Sequence, residues 1–294
     1  MLQVLRQLFE SDTAGSEATA GTMTLGELMR RGWLELWYQP KIELKTKRLA
    51  GAEGLVRGRR PDGSVIAPAA FLPGAKEADM LALTELVILA ALRDFEDCVV
   101  QGASVKFAVN VPVSALLKLP IAQMLREYRP STPNWPGLIL EVTEDDILDD
   151  LKLANQVAGE LRDLNCTLAL DDFGAGYSSL ARLRQLPFSE LKIDRSYVSN
   201  CHEDKVNAGL CETIVKLAQR FELKTVAEGI EKSEEGETLK GIGCDIGQGY
   251  LFAKPMPKTA FLKAISRRMV GGRASAAKPR VPVKTLTRGA LADT

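Results

Sequence analysis

Cys166-Thr167-Leu168-Ala169-Leu170-Asp171-Asp172 is apolar through its middle and ends in two adjacent acids. A short, Leu-rich run without polar interruption reads as a strand of a parallel sheet, buried on both faces. An acid pair has no place in such a core, so it marks where the strand leaves it. Seven further stretches read as strands: 34–40, 49–56, 104–111, 137–143, 190–193, 223–227 and 243–246. Several end in the same way. Phe107-Ala108-Val109-Asn110 closes on an amide, and Leu138-Ile139-Leu140-Glu141 and Thr225-Val226-Ala227-Glu228 close on acids. Ala50-Gly51-Ala52-Glu53 carries a carboxylate, and Leu191-Lys192-Ile193-Asp194 mixes a cation with an acid.

Helical patterns fill the intervals. Residues 150–163 place Leu151, Ala154, Val157, Ala158 and Leu161 on one stripe, and 205–221 do so with Val206, Leu210, Ile214, Leu217 and Phe221. Residues 79–95 are apolar nearly all round, as expected of a deeply buried helix. Strands alternating with helices predict parallel pairing through right-handed crossovers. Eight strands then predict one α/β unit, a TIM-like (β/α)8 barrel, as a single domain over 24–270. Residues 1–23 read as an N-terminal segment and linker, and 271–294 as a flexible basic tail.

Composition narrows the function. The 294 residues are 46% hydrophobic and 26% charged, with 38 Lys plus Arg against 38 Asp plus Glu. Balanced charge predicts no general attraction to a DNA or RNA duplex or to anionic lipid. The apolar stretch from Met80 to Leu92 is broken by Thr84 and Glu85 and is too short to span a bilayer. Met1 to Glu10 lacks a signal-peptide pattern. The five cysteines, an odd number without CxxC spacing, read as reduced thiols of a cytoplasmic protein.

In a parallel barrel the C-terminal strand ends meet at one mouth, where active sites of this architecture lie. Carboxylates crowded into a low-dielectric cup take up protons unless a cation neutralises them. Oxygen donors without His or Cys suit Mg²⁺ or Mn²⁺. The adjacent Asp171 and Asp172 can offer oxygens to two ions, and two metals about 3.5–4 Å apart form a clamp for in-line displacement at phosphorus. The residues alone therefore point to a metal-dependent phosphoester hydrolase.

The chain also resembles a known family across about residues 24–270. The matching stretches are Tyr38-Gln39-Pro40, Gly51-Ala52-Glu53-Gly54-Leu55-Val56-Arg57, Val109-Asn110-Val111 and Glu141-Val142-Thr143-Glu144. They continue with Asp171-Asp172-Phe173-Gly174-Ala175-Gly176-Tyr177-Ser178-Ser179-Leu180, Leu191-Lys192-Ile193-Asp194, Ala227-Glu228-Gly229-Ile230-Glu231 and Gln248-Gly249-Tyr250-Leu251-Phe252. This order resembles the EAL-domain cyclic di-GMP phosphodiesterases. The resemblance implies hydrolysis of cyclic di-GMP to linear pGpG with two Mg²⁺ or Mn²⁺ ions.

Position by position, it implies Glu53, Asn110, Glu141 and Asp171 as ligands of one metal, with Asp171 bridging to a second held by Asp172 and Glu228. It implies Lys192 as the group that orients or deprotonates the attacking water, with a pKa expected to fall beside two dications. Glu231 and Gln248 match positions of the water network and second-metal shell. Gln39 and Arg57 match dinucleotide contacts, and Glu144 matches the support of the loop after Asp172. Gly54, Gly58, Lys76 and Ala175 depart from the family pattern, which has alanine, tryptophan, an acid and threonine there. A catalytically weak or inactive cyclic di-GMP receptor is the alternative that these departures keep open. The resemblance further implies a homodimer, and with a short N-terminal segment regulatory input is expected from a protein partner, dimerisation or expression level.

Overall fold

The computed structural model describes residues 23–132, 135–143, 151–174 and 187–271. Its strands are β1 (Leu34–Glu43), β2 (Leu49–Arg59), β3 (Val65–Ile66), β4 (Phe107–Asn110), β5 (Leu138–Thr143), β6 (Thr167–Phe173), β7 (Phe188–Ile193), β8 (Lys224–Ala227), β9 (Ile246–Gly247) and β10 (Met256–Pro257). The helices are α1 (Leu25–Arg30), α2 (Glu77–Val100), α3 (Val113–Lys118), α4 (Ile121–Tyr128), α5 (Leu151–Arg162), α6 (Arg195–Val198), α7 (Lys205–Arg220), α8 (Ser233–Gly241) and α9 (Lys258–Gly271). Strands pair in the order β1-β9-β8-β7-β6-β5-β4-β2, and β2 closes the ring on β1. This is the eight-stranded barrel read from the sequence, with β3 and β10 as short additions.

One strand departs from the all-parallel expectation. β2 and β4 through β9 run parallel, but β1 is antiparallel to both of its ring neighbours, β2 and β9. The short connection 44–48 explains this, because a tight turn returns the chain beside itself while a parallel partner needs a long crossover. β1 also runs on through Pro40, where the strand read from the sequence stops. Pro40 has no N–H for a ladder, and it lies between residues 37–38, paired to β10, and 42–43, paired to β9.

Alternation along each strand creates two cores. One face packs under the helices, in a cluster that includes Phe107, Leu140, Leu168, Leu191, Val87, Ile88 and Phe95. The other points into the barrel, where Ala108, Ile139 and Ala169 fill a small plug. Truncating a leucine such as the fully buried Leu140 to alanine would cost about 2–5 kcal/mol.

Two helix faces differ from those read in the sequence. On α7 the buried residues are Cys211, Ile214, Val215 and Ala218, whereas Val206 and Leu210 are exposed. The buried face thus combines the β-branched Ile214 and Val215 with the smaller Cys211 and Ala218. On α2 the buried residues include Leu83, Val87, Ile88, Ala91, Leu92 and Phe95, while Leu86, Leu89 and Ala90 are half-buried. That helix covers the barrel and is not enclosed by it. All five cysteines are free and buried, and burial pushes the Cys98 thiol up to about 12, consistent with inert thiols. Among the described residues no helix is long and apolar enough to cross a membrane.

Candidate active site

The polar strand ends meet at the mouth of the barrel. Asn110 ends β4, Glu141 lies in β5, Asp171 and Asp172 in β6, and Lys192 near the end of β7. Glu228 and Gln248 immediately follow β8 and β9. Glu53 sits in mid-strand, because β2 continues to Arg59 after its parallel partner β4 has ended. It is at the mouth all the same, pairing with Ala108 on one side and Gln39 on the other.

Two backbone features make this convergence possible. Consecutive residues of a regular strand point to opposite faces, so Asp171 and Asp172 should part company. The β6–β7 ladder instead breaks between Leu170 and Phe173, and Asp172 takes φ 58°, a left-handed conformation that Asp tolerates better than most residues. Both carboxylates are buried, at 1% and 6% exposure. Behind Gln248, Gly249 lets two loops touch, since a Cβ there would lie 2.1 Å from the Ile230 carbonyl oxygen.

Lys192 is the hub. Its Nζ lies 2.9 Å from Asp171 Oδ2, 2.8 Å from Glu141 Oε2, 2.6 Å from Glu228 Oε1 and 3.9 Å from Glu53 Oε1. Asn110 Nδ2 donates to Glu53 Oε1 at 2.8 Å, and Gln248 Nε2 donates to Glu53 Oε2 at 2.5 Å and to Gln39 Oε1 at 3.0 Å. Gln39 in turn donates to the Ala253 carbonyl at 3.1 Å. The structure therefore brings Gln39, Glu53, Asn110, Glu141, Asp171, Lys192, Glu228 and Gln248 into one network.

The electrostatics follow from burial. Desolvation pushes Asp172 up to about 10, aided by Asp171, Glu228 and Asp194, and pushes Glu228 up to about 8 although Lys192 opposes it. Burial also raises Glu53 and Asp171. Glu141 goes the other way: Lys192 and Lys41 outweigh its burial and hold it down at about 2. Lys192 is raised well above the ordinary lysine range, because Asp171, Glu141, Glu228 and Glu53 outweigh desolvation. The expected fall assumed dications beside it; the neighbours that the chain itself supplies are carboxylates.

The remaining predicted residues lie farther out. Glu231 lines the mouth cavity with its side chain 46% exposed and accepts from Arg195 Nη2 at 2.7 Å. Arg57 is buried, donates to the Val56 carbonyl at 2.8 Å, lies 5.8 Å from the Trp37 ring centroid and is not part of the cavity wall. Glu144 and residues 175–180 of the glycine loop lie outside the described residues. Two residues at the site are missed by the sequence pattern. Arg195 lines the cavity, and Lys41 donates to Glu141 Oε1 at 2.6 Å from inside the barrel. The signal for Lys41 is the alternation Gln39-x-Lys41, hidden because Pro40 reads as the end of the strand.

The donors suit a hard divalent cation: carboxylates and amides, with no thiol or imidazole in the network. Two of them carry buried oxygens without a hydrogen-bond partner, Asp172 Oδ1 and Gln248 Oε1. Among the described residues no group of three or more His, Cys, Asp or Glu is preformed around an ion position; Glu141, Asp171 and Glu228 pair with the Lys192 ammonium, which an ion would have to displace from them. Asp194 does not join them, because its carboxylate caps α6 at Ser196 N.

Known proteins are similar to this chain in sequence and in fold. Cyclic di-GMP phosphodiesterase RocR of Pseudomonas aeruginosa is 35% identical over 238 residues, covering 79% of this chain and 59% of that protein. Cyclic di-GMP phosphodiesterase NbdA of the same species is 34% identical over 246 residues, covering 82% of this chain and 31% of NbdA. The chain thus spans between about a third and three-fifths of these relatives. The solved structure of the PaMucR phosphodiesterase in complex with c-di-GMP superposes with a TM-score of 0.73 at 33% identity, covering 81% of this chain and 97% of that one. The sequence profile of the EAL domain matches residues 23–255. With barrel, mouth and profile in agreement, the chain belongs to the EAL domain family.

Proposed function

We propose that the protein hydrolyses one phosphodiester bond of cyclic di-GMP to give linear pGpG, with Mg²⁺ or Mn²⁺ bound at the barrel mouth. The observation that carries this reading is the Lys192-centred network, which joins Glu53, Asn110, Glu141, Asp171, Glu228 and Gln248 at the barrel mouth with Asp172 buried beside them. Glu53, Asn110, Glu141, Asp171, Asp172 and Glu228 would hold the two ions. Bound there, such ions lower the pKa of water and neutralise charge on phosphorus oxygens.

The chain's own groups account for the rest. Lys192 Nζ, an ammonium, donates hydrogen bonds that orient the attacking water and the phosphate against the acids around it. Glu228 and Asp172, both raised by burial among other acids, would give up their protons on becoming ligands. Gln248 and Asn110 fix both oxygens of Glu53 and spare it the search among rotamers. Gln39 belongs to the same hydrogen-bonded wall, while Glu231 with Arg195 forms the exposed rim where the dinucleotide enters. Arg57, whose Nη1 donates to the Val56 carbonyl, is the further residue that would contact the dinucleotide. A cytoplasmic location, a homodimer and a regulatory protein partner form part of the same reading.

The test is product analysis. Cyclic di-GMP and a linear diester compete for the purified protein in Mg²⁺ or Mn²⁺, with Glu53→Ala as control. Formation of pGpG by the wild type and not by the variant, with the linear diester spared, is the expected result. Equal cleavage of both substrates would reject selectivity for the cyclic dinucleotide and favour a metal-dependent barrel hydrolase of another substrate.

A further inference from the structure

Lys41 enters the barrel two residues beyond Gln39 on the same face of β1 and has no role in the chemistry above. Its Nζ lies 2.6 Å from Glu141 Oε1 and 3.4 Å from Glu190 Oε2, and the residue is 2% exposed. Glu141 is thereby bracketed by two ammonium groups, Lys41 on Oε1 and Lys192 on Oε2 at 2.8 Å.

The two are not equivalent. Lys192 lines the mouth cavity and has Asp171, Glu228 and Glu53 as further partners within 3.9 Å, so it can give up Oε2 and remain neutralised. Lys41 does not line that cavity. If it lost Glu141 it would keep only the longer contact to Glu190 among the ion pairs of the described residues. Breaking one partner from a buried ion pair is strongly unfavourable. Oε1 therefore stays closed, and Oε2 is the oxygen that can turn to a ligand.

We propose that Lys41 determines the selectivity of the metal site by restricting Glu141 to one donated oxygen. Mg²⁺ and Mn²⁺ favour octahedral oxygen shells that a single oxygen per carboxylate can fill. Ca²⁺ takes roughly six to eight oxygens and readily accepts a carboxylate through both. Holding Oε1 withholds the second oxygen and disfavours the larger ion. This inference rests on the proposed role of Glu141 as a metal ligand.

The test is equilibrium binding of Ca²⁺ and of Mn²⁺ to the metal-free 294-residue chain by calorimetry, without substrate. Lys41→Met should raise the ratio of Ca²⁺ to Mn²⁺ affinity by about tenfold. Lys41→Arg, which keeps a donor on Oε1, should stay near the wild-type ratio. If Lys41→Met fails to fold because Glu190 is left unpaired, the double variant with Glu190→Gln should show the raised ratio. An unchanged or lowered ratio in the folded Met variant overturns the proposal. Glu141→Gln separates this from failure of the underlying reading: wild-type affinity for both ions in that variant would show that Glu141 is no ligand.

Discussion

Adding a divalent cation to the metal-free protein should expel protons, and the structure sets how many. Glu228 is held at about 8 and Asp172 at about 10, both by burial among other acids. At pH 7 the first is then about nine-tenths protonated and the second fully so. Ions bind carboxylates in their ionised form, so both protons must leave when these groups become ligands. Titrating Mg²⁺ at pH 7 in buffers of different ionisation enthalpy should give a release of about two protons from these two groups, falling to about one at pH 9. The same groups predict how stability varies with pH without metal. Glu228 is raised from the ordinary 4.5, so its contribution is complete below about pH 4.5 and is lost as pH rises to about 8, at no more than about 1.4 kcal/mol per unit. In a chelator the protein should melt at higher temperature at pH 6 than at pH 8, and saturating Mg²⁺ should reduce that difference. Zero proton release at pH 7, or an unchanged count at pH 9, would refute the reasoning.

Other expectations rest on single contacts. Lys192→Met removes the ammonium from three carboxylates within 2.9 Å and should destabilise the metal-free protein by about 3–5 kcal/mol in denaturant titrations at pH 7. Lowering the pH to 5 should restore much of the loss as the acids protonate, whereas a uniform loss across pH would show that charge is not the cause. Gly54→Ala restores the family's methyl, and a Cβ there meets nothing nearer than 3.5 Å, so chemical denaturation should show a gain of about 0.4–1 kcal/mol. Gly58→Trp should do the opposite, costing at least about 1–3 kcal/mol, because a Cβ there lies 3.0 Å from Ile66 Cβ. Wild-type stability in the Gly58→Trp variant would mean that the Ile66 and Leu28 side chains yield more easily than their packing indicates.

The barrel and most of its mouth were legible because the polar residues interrupt otherwise apolar strands. Asn110, Glu141, Asp171, Lys192 and Glu228 each stand out in such a run. What stayed hidden depends on backbone direction and not on residue type. The reversal of β1 follows from a short turn, and hydrophobic pattern alone does not report strand polarity. Lys41 was hidden behind Pro40, whose missing N–H matters only if a partner is there to receive it. The shared destination of Asp171 and Asp172 needs a ladder break and a left-handed residue, neither of which a period-2 reading contains. The inward face of α7 was misread because Val206 and Leu210 are more hydrophobic than the Cys211 and Ala218 that pack against the sheet. Arg57 matches a substrate-contacting position by spacing, and the hydrogen bond from its Nη1 to the Val56 carbonyl is a local detail that spacing does not contain.

Hydrolysis of cyclic di-GMP at the Lys192 network, as opposed to binding alone, is read most directly in a single turnover. Protein in excess over cyclic di-GMP in Mn²⁺ is quenched at intervals and the nucleotides are resolved by chromatography. The expected result is conversion of the bound nucleotide to pGpG by the wild type, and retention of intact nucleotide by Glu53→Ala and Asp171→Asn. Saturable binding by the wild type with the cyclic nucleotide recovered intact would contradict hydrolysis and identify the protein as a receptor.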